Sequence, residues 1–167
     1  MTQNSKDRVT AWLTSAGFIV APLNTALPSN AEWGLAVSTP PPVQVKLRIF
    51  GLKTGGIVIG MGVNFSDKHR EELIRLPVEE RIRFSATMLD RVLSICPYCR
   101  IALQGGVTSP VALVAEILLF NDEITRQRLV DDSARLVNVF LIVNALLWEK
   151  FPHTITAPQQ SQSSSFI

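Results

Sequence analysis

Hydrophobic and polar residues follow two different periods along this chain, and each period predicts its own kind of element. At the start, apolar side chains recur every three or four positions until Gly17, which predicts a short amphipathic helix. From residue 18 to 65 the period is two, and it is clearest over residues 43–49 and 57–63, on either side of the pair Gly55–Gly56. These residues predict one helix followed by an antiparallel meander of three or four strands.

The helical period returns in the middle of the chain. Ser66 predicts the N-cap of a short charged helix. Pro77 suits the first position of a second helix, because a backbone N–H group is not needed there. This second helix is expected to bury one stripe, made of Ile82, Ser85, Leu89, Val92 and Cys96.

The last third of the chain predicts two more strands and a long helix. The strands are expected over residues 100–104 and 111–120, and the helix over Asp122–Lys150, with Asp122 as its N-cap. The resulting order, α-β-β-β-β-α-α-β-β-α, predicts one α+β domain over residues 1–151, with an antiparallel sheet packed against the N-terminal, middle and long C-terminal helices. Residues 152–167 are rich in Gln and Ser and predict a flexible tail.

Composition excludes several classes of protein. The 167 residues are 47% hydrophobic and 18% charged, with a mean hydropathy of +0.24 and a formal net charge of +2. This apolar share excludes a disordered chain, and the small, evenly spread charge excludes nucleic-acid binding through bulk positive charge. We expect no membrane partner, because no stretch reaches the roughly 18 apolar residues of a membrane span. The lack of a signal-peptide pattern and the presence of only two cysteines favour the cytoplasm.

The closing helix carries the strongest functional signal. From Leu136 to Trp148, eleven of thirteen residues are apolar, and only Asn138 and Asn144 interrupt the run. A helix that is apolar on every side is covered on both faces, so we predict a second copy of the chain, or a partner protein or peptide, on the face turned away from the sheet. A helix buried wholly within its own chain stays open as an alternative. The predicted core and interface residues are Leu136, Val137, Phe140, Leu141, Val143, Leu147 and Trp148.

The sharpest motif is Cys96-Pro97-Tyr98-Cys99, which resembles the active site of glutaredoxins. In that family the motif follows a strand and opens a helix, so the helix dipole stabilises the thiolate. Here Cys96 ends a helix and Cys99 precedes a strand, and this reversed polarity would raise the thiol pKa. Two semi-buried cysteines at a helix-to-strand corner are therefore favoured, with a structural disulfide, a shared metal site and a thiol-disulfide oxidoreductase as alternatives.

A metal site or a cofactor site is not predicted within one chain. Zinc needs about four ligands, and beyond the cysteine pair the chain offers only His69 and His153, neither of which lies at a ligand spacing from another. His69 stands between Lys68 and Arg70 and is expected to be a solvated surface residue. The pair Gly60 and Gly62 lacks the rest of a phosphate-binding loop, and is expected to admit a bulky neighbour.

The order of elements resembles the type III secretion chaperone-like fold, and within it the small, mostly archaeal families of uncharacterised domains. The segments that carry the resemblance are Ala16-Gly17-Phe18, Val43–Ile49, Ile57–Val63 and the helix from Asp122, within about residues 5–151. The resemblance implies a dimer of α+β protomers that holds a partner polypeptide and has no catalytic residue. Secretion chaperones tend to be acidic, whereas this chain is nearly neutral. We therefore predict a non-enzymatic protein-binding or chaperone-like module that acts as a dimer through apolar surfaces.

Overall fold

A computed structural model describes residues 2–154, with side chains from Asn4 onward. It holds four α-helices and six strands in the predicted order, and the predicted α+β class with an antiparallel sheet is confirmed. The bounds are α1 Thr2–Ser15, β1 Ile19–Pro22, β2 Ala31–Ser38, β3 Lys46–Leu52, β4 Ile57–Asn64, α2 Asp67–Arg75, α3 Val78–Ile95, β5 Arg100–Gln104, β6 Ala112–Leu119 and α4 Arg126–Lys150.

The six strands form one sheet in the order β1-β2-β3-β4-β6-β5. The first four pair antiparallel with their neighbours in sequence, and the register sets Leu35 opposite Ile49 and Ile49 opposite Ile59. All three side chains are buried. Period-two alternation thus marks the buried face of these strands, as predicted.

The turn between β3 and β4 depends on its two glycines. Gly55 and Gly56 have φ values of +87° and +90°, a conformation that other L-residues rarely adopt. The N–H group of Gly56 donates to Oδ1 of Asn121 at 2.7 Å, which holds the turn against the segment that follows β6. The predicted glycine hairpin is confirmed.

The described residues divide into two compact units. The first comprises residues 2–61 with Glu116–Leu136, and the second comprises Gly62–Ala115 with residues 137–154. The single domain expected over residues 1–151 stays a prediction. Buried apolar side chains of the first unit include Val9, Leu13, Val37, Leu47, Ile57, Ile117, Leu119 and Leu129. Those of the second unit include Val63, Leu73, Met88, Val92, Leu113, Val139, Val143 and Leu147.

The buried face of α3 differs from the prediction. Phe84, Ser85, Met88 and Val92 are buried, whereas Ile82 is 41% exposed. Ser85, Val92 and Cys96 are buried as predicted, but the buried face takes in Phe84 and Met88 in place of Ile82, since these side chains remove more apolar area from water.

The start of the last helix also differs. Asp122 lies in a 3-10 turn, Asn121–Glu123, which closes when the Phe120 N–H group donates to the Glu123 carboxylate at 3.0 Å. The helix begins at Arg126, and Thr125 caps it by accepting from the Arg128 N–H group at 3.1 Å. The predicted cap was three residues too early, because the turn was taken as part of the helix.

Only the first residues of the predicted tail are described. Pro152–Thr154 form a 3-10 turn in which Thr154 is buried. The rest of the tail, residues 155–167, lies outside the described residues. Among residues 2–154, no helix has the length and apolar character to cross a membrane.

Candidate protein-binding surface

The apolar part of α4 has one buried face and one outward face. Four of the seven predicted core and interface residues are inside: Leu136, Phe140, Val143 and Leu147 are at most 3% exposed. They belong to the core, which is one of the two roles predicted for this set, and the interface role is left to the outward residues as a prediction. The physical reason is that their own chain already covers them.

The outward face of α4 is also apolar. Leu141 is 48% exposed, Ala145 is exposed, and Val137 and Trp148 are half-buried. These four side chains repeat every three or four residues, so they lie along one side of the helix, and we call them the α4 stripe. No charged side chain occurs over residues 137–148, a length of about 18 Å. A helix face in water normally carries charges, so this one has the character of a binding surface.

The two asparagines of α4 lie in different environments. Asn144 is buried and donates from Nδ2 to the Phe140 carbonyl at 3.0 Å, so it belongs to the interior of the second unit. Asn138 is exposed beside the α4 stripe. Only Asn138 is therefore placed to contact a partner.

A groove of about 440 Å³ lies between α3 and α4 in the second unit. Its lining includes Arg83, Phe84, Thr87 and Arg91 from α3 and Leu146 and Glu149 from α4. Phe84 and Leu146 are nearly buried and form an apolar floor, while the charged residues form the rim. The volume is in the range of sites that bind small ligands or peptide side chains.

An aromatic cluster supports the floor of this groove from behind. The rings of Phe84 and Phe151 are 6.3 Å apart, and Phe151 stacks on His69 with centroids 6.2 Å apart. Aromatic pairs at such separations add to the stabilisation that burial gives. The groove is thus formed by packed side chains before any ligand arrives.

His69 is buried, which corrects the prediction of a solvated residue. Its Nε2 lies 2.9 Å from Oγ1 of Thr154, whose hydroxyl donates to the Phe151 carbonyl at 2.6 Å. Because the hydroxyl has one proton, its oxygen must accept from His69, and Nε2 is therefore the protonated nitrogen of the neutral ring. His69 ties α2 to the turn after α4 as a neutral donor.

Burial lowers the pKa of His69 below its usual value, and the charge of nearby His153 lowers it further. The unfolded chain therefore binds more protons than the folded chain between that lowered pKa and about 6.5. The contribution of neutral His69 to the free energy of unfolding is therefore complete above this window, and it is lost as the pH falls through the window.

We expect His69→Gln to flatten this pH dependence, since its amide still donates to Thr154 but does not titrate. The measurement is urea unfolding at pH 7 and pH 5. His153→Gln is the control, and should keep most of the wild-type slope because burial, the larger cause of the lowered pKa of His69, stays in place. Equal slopes in wild type and His69→Gln would contradict the assignment.

Cys96 and Cys99 form a disulfide, so of the alternatives for this motif the disulfide is the one observed. Cys96 is the C-cap of α3, and the Cys99 N–H group donates to the Cys96 carbonyl at 3.2 Å, closing the four-residue turn before β5. Both cysteines are buried. The predicted corner between helix and strand is confirmed, with the cysteines covalently joined.

The structure supports neither the alternative of a metal site nor the predicted bulky neighbour at Gly60 and Gly62. Over the described part of the chain, no three His, Cys, Asp or Glu side chains come together as metal ligands. A Cβ at Gly62 would meet nothing within 4 Å, and one at Gly60 would meet only the Arg48 carbonyl, at 3.9 Å. Bulky neighbours lie instead against Gly51, where the Trp33 ring occupies the space of a side chain.

A solved structure shares this fold, and a family model matches this sequence. A solved structure, an uncharacterized protein from Methanothermobacter thermautotrophicus, matches with a TM-score of 0.73 over 88% of this chain and 99% of that one. The two are 18% identical, so the likeness shows the fold alone. No curated protein matches the chain. A family model matches residues 5–147, most of the chain, and the chain therefore belongs to the family described as "Uncharacterized conserved protein (DUF2299)".

Proposed function

We propose that this chain is a non-enzymatic, chaperone-like binding module that pairs with a second copy of itself through the α4 stripe. The observation that carries the proposal is the exposure of Leu141 in the middle of an uncharged helix face. Covering such a face stabilises a complex by about 25 cal/mol per Å² of apolar area removed from water. The type III secretion chaperone-like resemblance, which rests on the order of elements, is part of the same proposal.

Two-fold symmetry suits the α4 stripe. In a symmetric pair, if one residue of the first copy contacts a second residue of the other copy, the same two residues also contact each other with the copies exchanged. An antiparallel pair of α4 helices centred on Leu141 sets Val137 of one copy against Ala145 of the other. A branched side chain then faces a methyl group, which lets the helices approach to the usual 8–10 Å. The uncharged face also brings no like charges together.

Leu141→Glu is expected to convert a dimer into a monomer, because two carboxylates would meet at the centre of the pair. The measurement is size-exclusion chromatography with light scattering at micromolar concentration, where wild type should have twice the 18.4 kDa of one chain. Leu93→Glu is the matched control, since Leu93 is a 42% exposed leucine on α3. A monomeric wild type would overturn the proposed pair, and so would a monomeric Leu93→Glu.

The competing function is a thiol-disulfide oxidoreductase that uses Cys96 and Cys99, and the observed disulfide is the one feature that favours it. The burial of this disulfide and its place at the end of α3 favour a structural role. Attack by an outside thiolate needs access, and Cys96 is fully buried while Cys99 is nearly so. Displacing Cys96 would also create a thiolate at the negative end of the α3 dipole, which makes it a poor leaving group.

The cytoplasm is the compartment we propose. Disulfides are uncommon in a reducing cytosol, so the cysteine pair by itself does not favour that location. The same burial and poor leaving group that argue against catalysis would protect the bond from cytosolic thiols.

A further inference from the structure

We infer that the groove between α3 and α4 binds an acidic amphipathic helix of a partner protein. This inference rests on the proposed function as a binding module and names the partner's chemistry. It concerns a surface separate from the α4 stripe, so the module would hold a second copy on one side of α4 and a client segment on the other.

The charges on the groove point to an acidic partner. Arg83 and Arg91 are exposed on the α3 rim, and among the described residues neither side chain forms an ion pair. They face a single carboxylate from the α4 rim, that of Glu149. The other charges of the lining, Glu80 and Lys150, lie 3.9 Å apart and balance one another.

The floor between the two arginines points to apolar side chains. Thr87 lies midway between them, and its hydroxyl donates back to the Arg83 carbonyl at 3.0 Å. Because the hydroxyl is already bonded within α3, it does not offer its proton to a ligand. The floor of the groove is therefore the apolar surface of Phe84 and Leu146. The one further cation of the lining, Lys150, is paired with Glu80, so little positive charge is left here for the phosphates of a nucleic acid, whereas an apolar helix face finds a matching floor.

The spacing of the arginines fixes the partner's pattern. Arg91 comes eight positions after Arg83 on the helix, which is about 12 Å along the axis. A helix lying along the groove reaches both guanidinium groups when its own carboxylates are seven or eight residues apart. Its leucines or similar residues, at positions between them, would rest on Phe84 and Leu146.

The test uses two fluorescent helical peptides with identical leucine faces. One carries two glutamates eight residues apart, and the other carries two lysines at the same positions. Fluorescence anisotropy with the full chain is expected to show binding of the glutamate peptide and at least tenfold weaker binding of the lysine peptide. The double variant Arg83→Glu/Arg91→Glu is expected to reverse this preference.

The control is Lys68→Glu/Arg126→Glu, which changes the net charge equally at exposed positions outside the groove. It should bind the glutamate peptide like wild type. Equal binding of both peptides, no binding of either, or an equal loss in the control would overturn the inference. Light scattering on the same samples reports the dimer independently, so a failure of the groove and a failure of the α4 pair are distinguishable.

Discussion

Phe140→Asp is expected to unfold the protein, whereas Leu141→Asp, one residue further along α4, is expected to leave the monomer folded and to lose only the stabilisation that the dimer gives. Phe140 is 3% exposed and Leu141 is 48% exposed. Truncating a buried phenylalanine costs about 3–5 kcal/mol, and an unpaired carboxylate in the same place adds several more. Since domains are stable by only about 5–15 kcal/mol, this one change is comparable to the whole free energy of unfolding.

Circular dichroism on heating and urea unfolding measure the difference between the two variants. Phe140→Leu serves as the control for position, since it keeps an apolar side chain and should lose far less stability than the aspartate. A Phe140→Asp protein that melts close to wild type would show that this side of α4 is not core. Leu141→Asp should separate folding from assembly: the dimer is lost, and the melting temperature falls only to that of wild type diluted until it is monomeric.

The strands were predictable because a local pattern decides them. In β3 and β4 every second residue is apolar, and a sheet with one face buried requires that spacing. The hairpin between these two strands was equally predictable, since two adjacent glycines supply the positive φ values that its turn needs.

The faces of the helices were less predictable, because their neighbours decide them. Along α4 nearly every residue from 136 to 148 is apolar, so composition alone does not tell which side is inside. In α3 the prediction was right for Ser85 and Val92, but it took Ile82 where the fold buries Phe84 and Met88. A pattern fixes the phase of a helix only when one side is clearly polar.

The environment of a side chain could not be predicted from the sequence where residues distant in the chain form it. His69 sits among charged neighbours in sequence, yet its hydrogen-bond partner Thr154 is 85 residues away. The groove has the same origin, since its two walls come from α3 and from the end of α4. Arg83 and Arg91 were visible in the sequence, but their common rim, and the lack of an ion pair for either within residues 2–154, exist only in the fold.

Reducing the Cys96–Cys99 disulfide is expected to lower the free energy of unfolding by about 2 kcal/mol, because a covalent link over a four-residue loop removes that much chain entropy from the unfolded state. The measurement is urea unfolding of wild type with and without dithiothreitol. The variant Cys96→Ala/Cys99→Ala is the control and should not respond to the reductant, although it loses the buried sulfur contacts as well.

The same reduction separates the two candidate functions. A structural disulfide makes the folded protein less stable when reduced but leaves peptide binding at the groove intact, because neither cysteine lines the groove. An oxidoreductase would instead accelerate the reduction of insulin by dithiothreitol, and the alanine variant would not. Acceleration by wild type would show that a buried disulfide at a helix C-terminus is accessible after all, and the binding-module proposal would yield to the redox one.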